Sequence, residues 1–235
     1  GLASKTLVGR ITYPKPDGTT AEVDLKYDYK VARPTYQIET GTLPPLYLGC
    51  KNVLSVQSAA LGPLWNPSFG GNGAEFINSG KGKVIIVPNS KNVSLSISNQ
   101  GNLMGTEPFR VTQVPRPSLE YYINGAVADE RRGVQASMAR NIRVDAVADP
   151  SFKAFSPEDA NFRVGEMTVR LVRNNRPVGQ PVSISGPSGS IASLASQAQA
   201  GDRIYVEVSS VQRRNFKGAI TDAGMPAQGR NIPLN

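Results

Sequence analysis

The chain has 235 residues, a net charge of +8, 23 glycines, 18 prolines, one cysteine and no histidine. No run of about 18 apolar residues is present to cross a bilayer as a helix. The lone Cys50 cannot form an internal disulfide, and the missing histidines remove the commonest general base and metal ligand. Abundant Gly, Pro, Val, Ile, Thr and Tyr, without long Leu/Ala/Glu/Lys tracts, predict short strands and many turns. The charge is spread along the chain: residues 1–40 carry six basic and five acidic side chains, 41–117 six and two, 118–235 fourteen and eleven. So diffuse an excess is a solvated basic surface or a face for an acidic protein, and no nucleic-acid partner is expected.

The clearest pattern is "TAEVDLKYDYKV", residues 20–31, where Ala21, Val23, Leu25, Tyr27, Tyr29 and Val31 alternate with charged residues. A period of two is a strand with one apolar and one wet face. Leu7, Gly9, Ile11 and Tyr13 alternate before it, and "PKPDGTT" between them is a turn, so a β-hairpin is expected over 5–31. Residues 1–40 read as the C-terminal hairpin of a preceding β domain. Gly1, without an initiator methionine, fits a piece of a longer protein.

Pro34, Pro44 and Pro45 bracket a joint. From Leu46 the strand signals recur every 8–12 residues: Leu46–Leu48, Val53–Gln57, Ala74–Ile77, Val84–Val87, Val93–Ile97 and Phe109–Val114. That spacing predicts a small antiparallel β-sandwich over 41–117. Cys50 is expected to be a small buried hydrophobe there. Pro115 and Pro117 cannot donate to a sheet, so they mark a stiff, extended interdomain hinge. A second, mixed domain is expected over 118–235. It should hold a short helical turn near 134–140, strands at Ile142–Val147, Met167–Val172 and Ile204–Val208, a hairpin turn at Asn174-Asn175, a serine-capped helix near 190–200, and an irregular tail from Gly218. Fold class is therefore mostly β: tandem small β-sandwich (Ig-like) domains, elongated, the last with one or two short helices.

No catalytic, cofactor or metal site is expected. "NSGKGK" lacks the phosphate-loop spacing, "GGNG" opens no helix, and "SISGPSGS" has no histidine to activate a serine. Glu158-Asp159 lies in "SPED", which reads as a helix or turn start capped by Ser156 rather than a catalytic carboxylate pair. The tight basic clusters, Arg131-Arg132 and Arg213-Arg214 with Lys217, are the candidate partner-binding residues. Carbohydrate or surface adhesion is the alternative reading; it would need an exposed aromatic platform, and Trp65 is the only tryptophan.

Three stretches resemble the C-terminal periplasmic region of the PorM/GldM family of type IX secretion and gliding motility. "LVGRITYPKPDGTTAEVDLKYDYKVARP" is similar to the end of that family's second periplasmic domain. "LYLGCKNVLSV" with "FRVTQVPRP" is similar to the start and end of its third, and "GEMTVRLVRNNRPV" with "GDRIYVEVSSVQ" to its fourth. A departure around "PPLYLG" and the insertion "GPLWNPSFGGNG" place it nearer the PorM side. The resemblance implies a non-enzymatic homodimer in the periplasm, anchored to the inner membrane by an N-terminal helix outside this chain. It implies an inner-membrane motor partner (PorL/GldL-like) and outer-membrane-associated ring partners (PorK/PorN-like), with no small-molecule ligand. A hairpin of about forty residues cannot cover its own apolar row. The cover must come from upstream residues or from a second copy of the chain; the resemblance, with its dimer, favours the second copy, with Val23, Leu25, Tyr27, Tyr29 and Val31 as the expected dimer interface.

Overall fold

A computed structural model describes residues 3–31, 34–39, 45–129 and 131–235. The alternating segments form the expected hairpin, β1 (Ala3–Pro14) and β2 (Thr20–Val31). Its register pairs Leu7 with Tyr27, Gly9 with Leu25 and Ile11 with Val23, which puts the apolar residues of both strands on one face. Arg10 on the other face pairs with Glu22 and Asp24. The turn closes through Asp17, whose carboxylate accepts from the Thr19 N–H and hydroxyl.

The next unit contains β3 (Gln37–Glu39), β4 (Leu46–Tyr47), β5 (Asn52–Gln57), β6 (Pro67–Asn72), β7 (Ala74–Asn78), β8 (Lys83–Pro88), β9 (Asn92–Asn99) and β10 (Asn102–Thr112). They make two four-stranded sheets, ordered β3-β5-β8-β7 and β4-β10-β9-β6. Leu54, Val56, Val84 and Ile86 of the first sheet meet Val93, Leu95 and Ile97 of the second in one core. The strand Gln37–Glu39 pairs with β5 and so joins this sandwich rather than the hairpin. The sequence pattern missed β6, because "PSFGGN" has no alternation. Glycine is required there: a Cβ on Gly71, at φ 142°, would run into the Ser94 carbonyl oxygen of neighbouring β9.

The last unit contains β11 (Ser118–Ile123), β12 (Ala126–Val127), β13 (Asn141–Val147), α1 (Pro150–Phe155), β14 (Asn161–Arg173), β15 (Arg176–Ser185), β16 (Ser188–Ser190), α2 (Ala192–Ala195), β17 (Arg203–Arg214), β18 (Ile220–Asp222) and β19 (Gln228–Pro233). A sheet β12-β11-β13-β16 faces a sheet β15-β14-β17, with β18 and β19 both on the free edge of β17. Their shared core includes Tyr121, Ile142, Val144, Met167, Leu171, Leu194, Ile204 and Val206.

Three local expectations change here. The tail from Gly218 does not wander: β18 and β19 pair with β17, and Ile232 and Leu234 are buried. The helix near 190–200 shrinks to Ala192–Ala195, and its N-cap is not a serine but Ile191, whose apolar side chain offers the first turn no acceptor. Ser156 closes a helix rather than starting one, and the turn expected after it is present, the Asp159 N–H donating to the Ser156 carbonyl. Asp149 is the N-cap of α1, accepting from the Phe152 N–H at 2.9 Å, and Pro150 fixes the first turn. Asn174 and Asn175, at φ 49° and 63°, form the β14–β15 turn as expected. Residues 113–117 belong to no strand, so no sheet crosses the two prolines.

Candidate functional site

A dense polar construction lies where the 45–112 and 118–235 units meet. It starts with Asn52, whose side chain binds its own neighbourhood on four sides. Its Oδ1 accepts from the Tyr47 N–H, and its Nδ2 donates to the carbonyls of Tyr47, Cys50 and Ile86. This fixes the turn Tyr47–Lys51 and aims the Lys51 N–H and the Cys50 thiol outward from the sandwich. On the other side, the turn after α1 presents Asp159, a fully buried carboxylate. Its Oδ2 accepts from the Lys51 N–H at 2.9 Å, and its Oδ1 from the Phe216 N–H at 3.0 Å.

Arg213 completes the group. Its Nη1 lies 3.0 Å from the Cys50 Sγ and 3.9 Å from the Asp159 carboxylate. Burial pushes the Cys50 thiol up to about 11 despite the opposing pull of Arg213. Two ion pairs flank the centre, Lys51 to Glu158 at 2.8 Å and Lys217 to Glu75 at 2.7 Å. Tyr47 meets Phe152 edge-on at 4.8 Å between ring centroids. An open crevice of about 430 Å³ runs beside these contacts, lined by Gly49, Glu75, Pro88, Asn215, Phe216 and Lys217 among others.

The fold divides the predicted basic residues. Arg213 and Lys217 come together at this joint, Arg213 reaching across it to the Cys50 thiol and Lys217 to the Glu75 carboxylate. Arg214 points to the opposite face of β17, in a shallow depression with Arg163, Gln212 and exposed Ile220. Arg131 and Arg132 sit exposed at the far end of the last unit, where Asp129 accepts from both of their backbone N–H groups. Sequence adjacency could not separate Arg213 from Arg214, which a strand sends to opposite faces. Sequence reasoning missed Asp159, Lys51 and Phe152 as a unit, since Lys51 lies on a turn about a hundred residues before α1 and the turn that follows it. Their one visible signal was the carboxylate pair in "SPED".

The hairpin is the other candidate surface. Val23, Leu25, Tyr27, Tyr29 and Val31 share one face with Leu7, Ile11 and Tyr13, and all are exposed, Tyr27 by 69%. Trp65, by contrast, is buried, its Nε1 donating to the Val56 carbonyl at 3.0 Å. It therefore supplies no exposed aromatic platform for a sugar.

Residues 35–112 match the model of the GldM third domain, and residues 115–235 that of the GldM C-terminal domain. The chain belongs to the GldM family. The two GldM matches meet at the proline joint. Domains of this family are structural components of the gliding and type IX secretion machinery, and membership indicates a periplasmic region of a membrane-anchored protein. No helix among the described residues is long and apolar enough to cross a membrane. No curated protein matches the chain. Among solved structures, it is similar to the Yersinia pseudotuberculosis adhesin InvE at 14% identity and TM-score 0.26, covering 86% of this chain and 59% of that one. Two structures of the surface-layer protein SbsC also match. Domains 5–6 do so at 10% identity and TM-score 0.29, covering 85% and 96% of the two chains; domains 4–9 at 11% and 0.28, covering 99% and 38%.

Proposed function

We propose that this GldM region is a periplasm-spanning coupling element, linking an inner-membrane motor to an outer-membrane-associated ring through protein contacts alone. The observation that carries the reading is the match of both β units, in tandem, to the third and C-terminal GldM domains. The buried joint between them supports a mechanical role, because force passes poorly through a floppy linker. Pro115 and Pro117 are the extended spacer of that joint. The inner-membrane partner is PorL/GldL-like and engages parts of the protein outside this chain. The ring partners are PorK/PorN-like and engage the last unit. The protein works as a homodimer in which the apolar hairpin faces of two copies cover one another, with Val23, Leu25, Tyr27, Tyr29 and Val31 in the contact. That arrangement removes a large apolar face from water at roughly 25 cal/mol per Å².

Arg131, Arg132 and Arg214 are the partner-facing basic residues of the predicted set; Arg213 and Lys217 serve the joint instead. The test is co-purification of the tagged chain with the ring proteins. Arg131→Glu with Arg132→Glu should slow association several-fold at low salt and little at high salt, because exposed charges act mainly on encounter. Unchanged ring binding at low salt would remove these arginines from the contact.

A further inference from the structure

Phe152 and Cys50 are both wholly inaccessible to solvent, yet neither belongs to the core of either β unit. Phe152 is enclosed by Tyr47 of one unit and Phe162 of the other. A side chain of that size buried outside a core means the two units close on each other rather than swing on a linker. The buried polar groups agree. The Asp159 carboxylate accepts one backbone N–H from across the joint, Lys51, and one from its own unit, Phe216. Opening the joint would take the Lys51 N–H from this buried carboxylate and part the buried Cys50 thiol from Arg213, which is costly.

We propose that Asp159 is a latch that makes residues 45–112 and 118–235 a single rigid body, with the prolines as spacer and the latch as the source of stiffness. Pro115 and Pro117 fix their own φ angles and hold Val114 and Arg116 extended, but Gln113 and the ψ angles of the two prolines are not locked. Extended backbone alone would leave the units free to swivel. The latch removes that freedom at three kinds of contact: the shared carboxylate, the Phe152 plug, and the ion pairs Lys51–Glu158 and Lys217–Glu75. A rod joined this way transmits a twist or pull applied at one unit to the other. That consequence rests on the coupling role proposed above; the rigidity itself does not.

Double electron–electron resonance on the whole chain tests it, with spin labels at exposed Ser79 and Gln180. Buried Cys50, its thiol pushed up to about 11, escapes labelling. The native chain should give one narrow distance distribution. Asp159→Ala should at least double its width, while Asp222→Ala, an exposed carboxylate on β18, should leave it unchanged. Asp159→Asn keeps the shape but turns one acceptor into a donor, and should broaden the distribution to a lesser degree. It decides the question if Asp159→Ala fails to fold. A broad native distribution, or an Asp159→Asn distribution as narrow as the native one, overturns the latch. Neither result depends on ring binding, so the latch and the coupling role fail separately.

Discussion

Single residues carry sharply different weights in this chain. Leu95 is wholly buried between the two sheets of the 45–112 unit, so Leu95→Ala leaves a cavity and should cost about 2–5 kcal/mol in a urea titration. Gly71→Ala should cost about 2 kcal/mol or more, because its φ of 142° and the Ser94 carbonyl leave no place for a methyl group. Asp202 sets an acid limit of stability. The forked hydrogen bonds from Arg173, at 2.8 and 2.7 Å, hold its carboxyl below the usual carboxylate range. A lowered folded-state value stabilises the fold above the unfolded value near pH 4, and the gain is lost as pH falls through the folded one. Asp202→Asn should therefore be less stable than the native chain at neutral pH, with the gap closing below about pH 4 in thermal melts. A gap constant down to pH 2 would mean that the loss is one of packing and not of charge.

At the scale of elements, the hairpin and β17 make the strongest contrast. β17 is a shared wall: β14 covers one edge along its length, and β18 and β19 divide the other. Its alternation of Ile204, Val206 and Val208 is visible in sequence because one face is wholly buried, while the irregularity after Val208 that returns Val211 to that face is not. The hairpin shows the same alternation with neither face covered. Leu25→Asp with Tyr27→Asp should convert the chain from dimer to monomer in light scattering at micromolar concentration, with the far-ultraviolet spectrum of the β units unchanged. A dimer that survives both substitutions places the contact elsewhere. The "NSGKGK" stretch, which lacked phosphate-loop spacing, is here the turn between β7 and β8, where Gly80 and Gly82 take positive φ.

For the whole molecule, the question is whether two β units behave as one. Because Phe152 is shielded by rings from both units, Phe152→Ala should uncouple them. Calorimetry of the native chain should give one transition for 45–112 and 118–235 together, and the variant two. Two transitions in the native chain would show that the joint adds little to cohesion. Protease sensitivity follows the same logic: residues 113–117 are in no strand, and cleavage there should accelerate once Phe152 or Asp159 is replaced. Loss of ring binding in a chain that still melts as one body would separate partner recognition from rigidity.

Composition and period-two alternation determined the β class, the two strands and turn of the hairpin, the core strands of both sandwiches and the Asn174-Asn175 turn, because each shows in a pattern of neighbours within a dozen residues. Proline placement also predicted that no strand runs through 113–117, since a residue without an N–H cannot carry a sheet across it. Tertiary structure alone decided the strands with no pattern of their own. "PSFGGN" became β6 through close backbone approach to β9, and the tail became β18 and β19 because the edge of β17 needed hydrogen-bond partners. It also decided the fate of the charges. Arg213 and Arg214 are adjacent in sequence yet serve opposite faces of one strand, and Glu158-Asp159 found its partners more than a hundred residues away at Lys51. Long-range pairing of that kind leaves no periodic trace, because it is fixed by where the folded units meet and not by any local preference of the chain.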